Sequence, residues 1–299
     1  MMRYRLLPLL IGMALSGLAA AGSADPAASA NAMEKMLLFG GDTAKEWSAA
    51  ECTVEASRDR VKATLTALRW SIPVDHTTGE PNYPVGWPRF GRTIPEGPLR
   101  DWRGWDYLHF WVYTETSRDT LPREPASLGL HVPDRARRWS RSLAELKKGE
   151  WVEVKIPLSQ IPDHHDVRFI QFNIAESNYN HGDRVDFYID DLALLRYARP
   201  TLLEFAAESG VIFADTRQLP VRFRMAGVKP GETATVTCEL RGNRGVVARE
   251  TAKVEHGAQR LVLDLGTKGL APGTYILSAR TSDGAPVTAR VRVVESPWR

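Results

Sequence analysis

Cysteine is scarce in this 299-residue sequence, which has only Cys52 and Cys238. The strand pattern described below assigns them to different domains, where such a pair is more often two buried small apolar residues than a disulfide. The motifs of thiol enzymes are absent as well. Stability must therefore come from hydrophobic cores.

Long apolar runs are also scarce. The one near the N-terminus, residues 6–21, follows Arg3 and Arg5 and precedes Gly22, Ser23 and Ala24. That order is typical of a secretory signal peptide, here residues 1–24, and the run is short for a membrane span. There is no cysteine near the cleavage point, so a lipid anchor is not predicted. We expect an exported protein without a membrane span, located in the periplasm, outside the cell or at its surface.

Net charge is low, with 39 basic and 36 acidic residues. Without the predicted signal peptide 37 basic and 36 acidic residues remain, a formal charge of about +1. Nucleic-acid binding depends on clustered Lys and Arg that neutralise phosphates, so no nucleic-acid partner is predicted. Residues 200–299 carry 14 basic and 10 acidic side chains, an excess too small to name a partner.

Catalytic motifs are missing too. The sequence has no Ser-His-Asp spacing, no H-E-x-x-H, no phosphate loop and no redox pair. His164 and His165 are adjacent, which favours a solvated turn over a metal site. Carboxylate pairs suited to glycoside hydrolysis occur by chance among 36 acidic residues. The prediction is a non-catalytic protein.

Two stretches rich in apolar and aromatic residues, 101–113 and 183–195, are each predicted to form a β-strand. The first would carry apolar or aromatic side chains on both faces of a strand. Aliphatic and phenyl groups lie on one face, and the other face has Tyr107, His109, Trp111 and Tyr113. Such a strand belongs in the middle of a two-sheet sandwich, or it faces a ligand with its aromatic side. In the second stretch Asp190 and Asp191 interrupt the strand and need partners.

Further strands are predicted on both sides of these two. After a disordered leader at 25–35, alternation predicts strands at 36–39, 52–57, 61–70, 127–132, 151–157 and 167–174. Residues 71–100 contain six prolines and read as a long loop rich in aromatic and charged residues. Either this loop closes an end of the sandwich with Trp87 buried, or it is a preordered recognition loop.

The composition changes near residue 199, since eight of the nine tryptophans precede that point, and we place a domain boundary there. Short alternating strands separated by turn signals follow, about seven in 100 residues, which is typical of an immunoglobulin-like sandwich. The sequence therefore predicts an all-β protein with a β-sandwich at 36–199 and an immunoglobulin-like β-sandwich at 200–299.

The strand order of residues 36–197 resembles the galactose-binding-like jelly-roll superfamily, in particular its carbohydrate-binding modules. The motifs that carry the resemblance are DWRGWDYLHFWVY, GEWVEVKIPLSQI, VRFIQFNI and VDFYIDDLALL. It implies a jelly roll and a structural calcium held by Asp190, Asp191 and an early acid, in whose place stand Gly40 and then Asp42. The alternative is that the aspartate pair caps a turn or pairs with an arginine. No other cofactor is implied.

Carbohydrate-binding modules hold sugars with aromatic platforms and polar side chains, so the resemblance implies a saccharide ligand. The candidate binding residues in loops and strand ends are His76, Tyr83, Trp87, Arg89, His131, Trp139, Asn178 and Asn180. The leading hypothesis is an exported, non-catalytic saccharide-binding protein, which could serve a separate glycan-degrading enzyme or an envelope protein. The alternatives are an envelope scaffold that makes protein contacts and an accessory polysaccharide-degrading enzyme.

Overall fold

The computed structural model describes residues 32–77, 85–133 and 139–297. Strands dominate this part of the chain, with only three short 3-10 helices, at Gly41–Glu46, Leu158–Gln160 and Glu176–Asn178. The predicted all-β fold is confirmed. Across the same residues, no helix combines the length and apolarity that a bilayer crossing requires.

Eleven strands form two sheets in the first half of the described chain. One sheet has the order β3-β4-β11-β6-β9, with β1 also paired to β11, and the other has the order β2-β5-β10-β7-β8. The strands are β1 Met33–Phe39, β2 Ser48–Ala50, β3 Thr53–Ser57, β4 Ala67–Pro73, β5 Arg89–Thr93, β6 Tyr107–Thr116, β7 Ser127–His131, β8 Trp139–Ser142, β9 Trp151–Pro157, β10 Phe169–Asn173 and β11 Arg184–Tyr197.

Eight more strands form two sheets in the second half of the described chain. These have the orders β12-β14-β17 and β13-β19-β18-β15-β16. The strands are β12 Thr201–Ala207, β13 Val211–Phe213, β14 Gln218–Ala226, β15 Ala234–Gly242, β16 Gly245–Val254, β17 Gly257–Asp264, β18 Gly273–Thr281 and β19 Val287–Val294. Each half buries its own apolar core, and the sheets divide between Tyr197 and Thr201.

Aromatic rings fill the first core because alternate residues of each strand point inward. Trp70 stacks on Phe187 with ring centroids 4.9 Å apart, and Phe90 stacks on Phe172 at 5.2 Å. Burying a large apolar side chain contributes about 1.5 to 3 kcal/mol, so this group is a main source of stability. Both cysteines are free thiols, Cys238 in the second core and Cys52 half-buried. Burial raises the pKa of the Cys238 thiol to about 12.

Strand β6 lies inside its sheet, between β11 and β9, with its aromatic side facing outward. The rings on that side are only partly exposed, and cations of the same chain lie over them. Lys62 Nζ is 4.7 Å from the centroid of Trp111, and the Arg60 guanidinium is 5.3 Å from that of Tyr113. The outer aromatic side is therefore partly covered by this chain's own residues.

Several strand boundaries differ from the sequence predictions. β1 begins at Met33, inside the predicted leader, because it pairs along the second half of β11. β4 begins only at Ala67, since residues 62–64 form a turn bound to Asp190. The proline-rich segment contains β5, and the sequence pattern does not predict β2, β8, β12 or β13 as strands.

The two sandwiches are joined through Asp106, which precedes β6. One carboxylate oxygen accepts hydrogen bonds from the backbone N–H of Tyr197 at 2.8 Å and of Gly227 at 3.2 Å. The other lies 2.9 Å from Nε2 of His256. Gly104 is required nearby, since it has φ of 74° and a Cβ there would lie 2.4 Å from Pro230.

Candidate functional site

The outer side of the sheet β2-β5-β10-β7-β8 carries small and polar side chains, and we call it the polar face. Paired residues in neighbouring strands share a side, so the register defines rows across it. One row runs from Arg89 through Asn173 to Ser127, and the next from Ser48 through Gly91, Gln171 and Gly129 to Ser140. A third row joins Thr93, Phe169 and His131.

Two glycines shape the polar face: the space over Gly91 is filled by a neighbouring ring, and the space over Gly129 is open. A Cβ on Gly91 would lie 2.4 Å from the ring of Phe169, so the absent side chain lets that ring lie flat across β5. A Cβ on Gly129 would meet nothing closer than 3.9 Å. The phenyl ring of Phe169 also contacts the imidazole of His131, with centroids 4.9 Å apart. The face therefore combines an aromatic end with an open polar centre around Gln171.

Trp87 and Arg89 lie at the opposite end of the polar face from Phe169. The Trp87 residue is 42% exposed, and the Arg89 guanidinium lies 4.7 Å from its ring centroid. The backbone is fixed as well, because Arg89 Nη1 donates to the Trp87 carbonyl at 3.1 Å and the Trp87 N–H donates to Glu51 at 2.5 Å. An exposed ring held in this way loses little entropy when it binds a ligand.

A buried glutamate holds the loop that precedes Trp87. Glu176 is 3% exposed, and its two carboxylate oxygens accept the backbone N–H of Asp75 at 2.9 Å and of Gly86 at 2.7 Å. The carboxylate thus ties residue 75 to residue 86, across the segment that leads to Trp87. The His76 ring lies beside it, with Nε2 3.3 Å from the Glu176 carbonyl and its ring 5.9 Å from that of His181.

The candidate binding residues separate into three groups in the structure. Arg89 and His131 lie on the polar face, and Trp87 lies at its end. His76, Asn178 and Asn180 lie in the adjoining connections, with Asn178 at the end of a 3-10 helix. The Asn178 side-chain amide donates to the Glu124 carbonyl at 3.1 Å, and the Asn180 backbone N–H donates to the Asp183 carboxylate at 2.7 Å. Trp139 pairs with Leu130 on the inner side and packs against the core, away from the face. Tyr83 lies outside the described residues.

Sequence reasoning missed the centre of the face. Gln171 and Asn173 alternate with the buried Ile170 and Phe172, so the pattern already indicated that they point outward. Nothing in the sequence indicated which side of this strand would be open to ligands. Gly91 and Gly129 carried no signal by themselves, because their role depends on the neighbours that the register brings beside them.

The carboxylates predicted to hold calcium have other partners in the structure. Asp190 Oδ2 accepts the backbone N–H groups of Lys62 at 2.6 Å, Ala63 at 2.8 Å and Thr64 at 3.3 Å. Asp191, at a bulge of β11, pairs with the Lys35 ammonium at 2.8 Å. Backbone N–H groups already bind Asp190 Oδ2 and an ammonium already binds Asp191 Oδ1, so this pair does not fit a calcium ion.

Asp42 does not complete a metal site either. It lies in the 3-10 helix after Gly40, and the described residues contain no group of three or more His, Cys, Asp or Glu side chains placed to hold a metal ion. Turn capping, the alternative considered from the sequence, is what Asp190 does. The calcium itself stays a prediction that solution measurements must test.

Chelation supplies that test. We expect an excess of EGTA to leave the melting temperature of the full chain unchanged, because Asp190 and Asp191 are satisfied by N–H groups and an ammonium. The measurement is differential scanning calorimetry in 1 mM calcium and in EGTA. A melting temperature that rises with calcium concentration would show that a calcium site contributes to stability.

A second concave feature lies between the two sandwiches. This cleft has a volume of about 520 Å³ and is lined by aromatic and imidazole groups that include Trp105, Tyr107, His164 and His256. Burial lowers the pKa of His164, although its Nδ1–H donates to the Ile161 carbonyl at 2.7 Å, which acts in the opposite direction. None of the candidate binding residues in the described part of the chain lines this cleft, so it is separate from the polar face.

No protein-family model and no curated protein matches the sequence. Among solved structures, the tandem CBM22 domains of Xyn10C from Paenibacillus barcinonensis are 9% identical, with coverage of 89% of this chain and 87% of theirs and a TM-score of 0.32. The glycoside hydrolase domain of Endo-D from Streptococcus pneumoniae R6 is 9% identical, with a TM-score of 0.32. The match covers 82% of this chain and 37% of that one, so this chain spans little more than a third of its length.

Proposed function

We propose that this protein is an exported, non-catalytic saccharide-binding protein whose ligand lies across the polar face. A sugar presents apolar C–H surface on one side of its ring and hydroxyl groups around the edge. The polar face offers the matching groups, with Phe169 and Trp87 at its ends and amide, guanidinium and hydroxyl groups between them.

The observation that carries the proposal is the row Ser48, Gly91, Gln171, Gly129 and Ser140. Two glycines flank a glutamine in the middle of a β-sheet, where bulky β-formers are the usual residues. The Phe169 ring fills the space over Gly91, so the backbone is open to a ligand at Gly129. Glycine in a strand interior weakens the strand and often marks a place where a ligand approaches the backbone closely. An oligosaccharide chain could cross this row on its way from one aromatic end of the face to the other.

A glycan array followed by isothermal titration calorimetry tests the proposal. We expect the full chain to bind at least one class of poly- or oligosaccharide above background. The same preparations should release no new reducing ends from polysaccharides that they bind, since the proposal includes no catalytic step. An absence of binding across the array would contradict the proposal, and reducing-end release would favour the enzyme alternative.

Export has a separate test. Expression of the full chain with a C-terminal tag, followed by N-terminal sequencing of the product, should give a chain that begins at Asp25. A product that keeps residues 1–24 would contradict the signal-peptide prediction without affecting the saccharide site.

Trp87→Ala is expected to weaken saccharide binding by about 1 to 3 kcal/mol, which is the effect of losing an aromatic anchor at an interface. The melting temperature should change little, because the ring is 42% exposed and packs mainly on the Arg89 side chain. Calorimetric titration gives the first quantity and thermal unfolding gives the second.

Trp139→Ala is the matched control for Trp87→Ala. Trp139 packs against the core from the inner side of β8, so its truncation should lower the melting temperature and leave the affinity of the folded protein unchanged. The opposite result, in which Trp87→Ala lowers stability and spares affinity, would remove Trp87 from the site.

A further inference from the structure

One sheet of the second half carries a cluster of cations on its outer side. In the sheet β13-β19-β18-β15-β16, the register places side chains in rows as on the polar face. One row joins Arg290, Ile276 and Arg241, and the next joins Thr288, Ser278, Glu239 and Arg249. The six cations on this side, which we call the basic face, are Arg241, Arg249, Lys253, Arg280, Arg290 and Arg292.

Within the part of the chain that the structure describes, four of these six cations, Lys253, Arg280, Arg290 and Arg292, have no counter-charge. Glu239 is the one acidic residue in the rows of the basic face, and it is buried under two of them, with bonds of 2.7 Å from Arg241 and 2.8 Å from Arg249. Within the described chain Arg280, Arg290 and Arg292 form no ion pair, although all three are exposed. Like charges gathered without partners repel one another and lower the stability of the compact state, and a bound polyanion would remove that cost.

Hydroxyl groups lie between the cations. Thr237, Thr251, Thr274, Ser278 and Thr288 share the outer side of the sheet with them. The guanidinium fork matches carboxylate oxygens in bidentate geometry, and hydroxyls exchange hydrogen bonds with sugar hydroxyls. We propose that the basic face is a second binding site, for an acidic polysaccharide that carries uronate carboxylates.

The geometry of the basic face favours this ligand over nucleic acid. Five strands about 4.8 Å apart span roughly 19 Å, which is wider than the major groove of about 12 Å. Single-stranded nucleic acid is held by several aromatic rings that stack on successive bases. Among the described residues this side of the sheet has one exposed ring, Phe213 on the edge strand β13, and it lies outside the rows that carry the cations. Successive outward arginines on β19, Arg290 and Arg292, are about 7 Å apart, so they can contact groups spaced along an extended chain.

This site is independent of the polar face, so the two proposals fail separately. The test measures binding of the full chain to polygalacturonate, with dextran as the neutral polymer, by biolayer interferometry at several salt concentrations. We expect binding to polygalacturonate that weakens steadily as salt rises, because exposed charges are screened, and none to dextran. Arg290→Glu together with Arg292→Glu should weaken it at least tenfold.

The control is Arg222→Glu together with Lys268→Glu, which changes the net charge by the same amount but leaves the basic face intact. We expect it to keep at least half of the wild-type affinity. An equal loss of affinity for polygalacturonate in both double variants would show attraction by net charge alone, and it would overturn the proposal of a binding site on the basic face. Tighter binding to a 20-base-pair DNA duplex, or to vesicles of phosphatidylglycerol, than to polygalacturonate would overturn the ligand class. If Arg290→Glu with Arg292→Glu fails to fold, Lys253→Glu with Arg280→Glu serves in its place.

Discussion

Gly129→Leu is expected to reduce saccharide affinity by more than about 3 kcal/mol, roughly 100-fold or more, while the protein remains folded. Gly129 lies at the centre of the polar face, and a Cβ there would meet no atom closer than 3.9 Å. The first atom of a side chain can therefore be added without a clash, and the rest of a leucine would extend over the outer side of the sheet. It would occupy the space that the proposal gives to the sugar, beside Gln171.

The stability of this variant should not fall. Glycine in a strand interior costs about 0.5 to 1 kcal/mol of stability relative to alanine, and the backbone at Gly129 is that of an ordinary strand. Calorimetric titration and thermal unfolding of the full chain measure both effects.

Gly210→Leu is the control, because Gly210 is equally open and lies in the second half of the chain. It should bind as the wild type does. Unchanged binding by Gly129→Leu would mean that the ligand does not cross the centre of the polar face.

Asp190→Ala is expected to lower the free energy of unfolding by about 2 to 4 kcal/mol. The residue is 2% exposed, and its carboxylate accepts three backbone N–H groups and the Thr64 hydroxyl. Each charge-assisted hydrogen bond contributes about 1.5 to 3 kcal/mol, and rehydration of the exposed turn at residues 62–64 offsets part of the loss. Urea denaturation of the variant and the wild type gives the difference.

The difference in the free energy of unfolding between wild type and Asp190→Ala should depend on pH in a defined direction. Burial raises the pKa of Asp190, but the hydrogen bonds from Thr64, Ala63 and Lys62 outweigh burial and bring the pKa below its ordinary value of 3.8. A lowered pKa in the folded state contributes stability that is complete above about pH 4 and is lost as the pH falls through the folded value. The gap between wild type and Asp190→Ala should therefore stay constant from pH 8 to pH 5 and shrink in more acidic solution.

Asp191→Asn provides the comparison for Asp190→Ala. Asp191 has a positive φ of 56°, which asparagine tolerates, and its partner Lys35 is partly exposed. We expect a smaller loss than for Asp190→Ala, because Lys35 can turn to water when its partner becomes neutral. A gap between Asp190→Ala and wild type that widens below pH 4 would contradict the proposed role of the Asp190 carboxylate.

Much of the fold could be predicted because period-two alternation is a local signal. The strands around Phe110 and Phe187 were located in this way, and the interruption of β11 by Asp190 and Asp191 is the bulge that the structure contains. The failures have non-local causes. β5 was hidden by the prolines around it, and the start of β4 depends on a turn held by Asp190, more than 120 residues away in the sequence.

The candidate site was predictable only at its ends. Trp87 and Arg89 stood out because an aromatic and a charged residue lie in a proline-rich loop, and the exposed ring favours the recognition loop over the buried plug. Gln171 and Gly129 could not be assigned, since alternation gives two sides and only the packing of the second sheet decides which side is covered. Glu176 looked like a loop residue, and its anchoring role appears only when residues 75 and 86 are brought beside it.

A chemical-shift map of the isotope-labelled full chain, titrated with an oligosaccharide identified on the glycan array, tests the central proposal most directly. We expect the largest shifts in the side-chain amides of Gln171 and Asn173, the indole N–H of Trp87 and the backbone N–H of Gly129. The cleft between the sandwiches, reported by the side chains of His164 and His256, should be unaffected. Shifts confined to that cleft or to residues 201–294, with the polar face unchanged, would contradict the proposal.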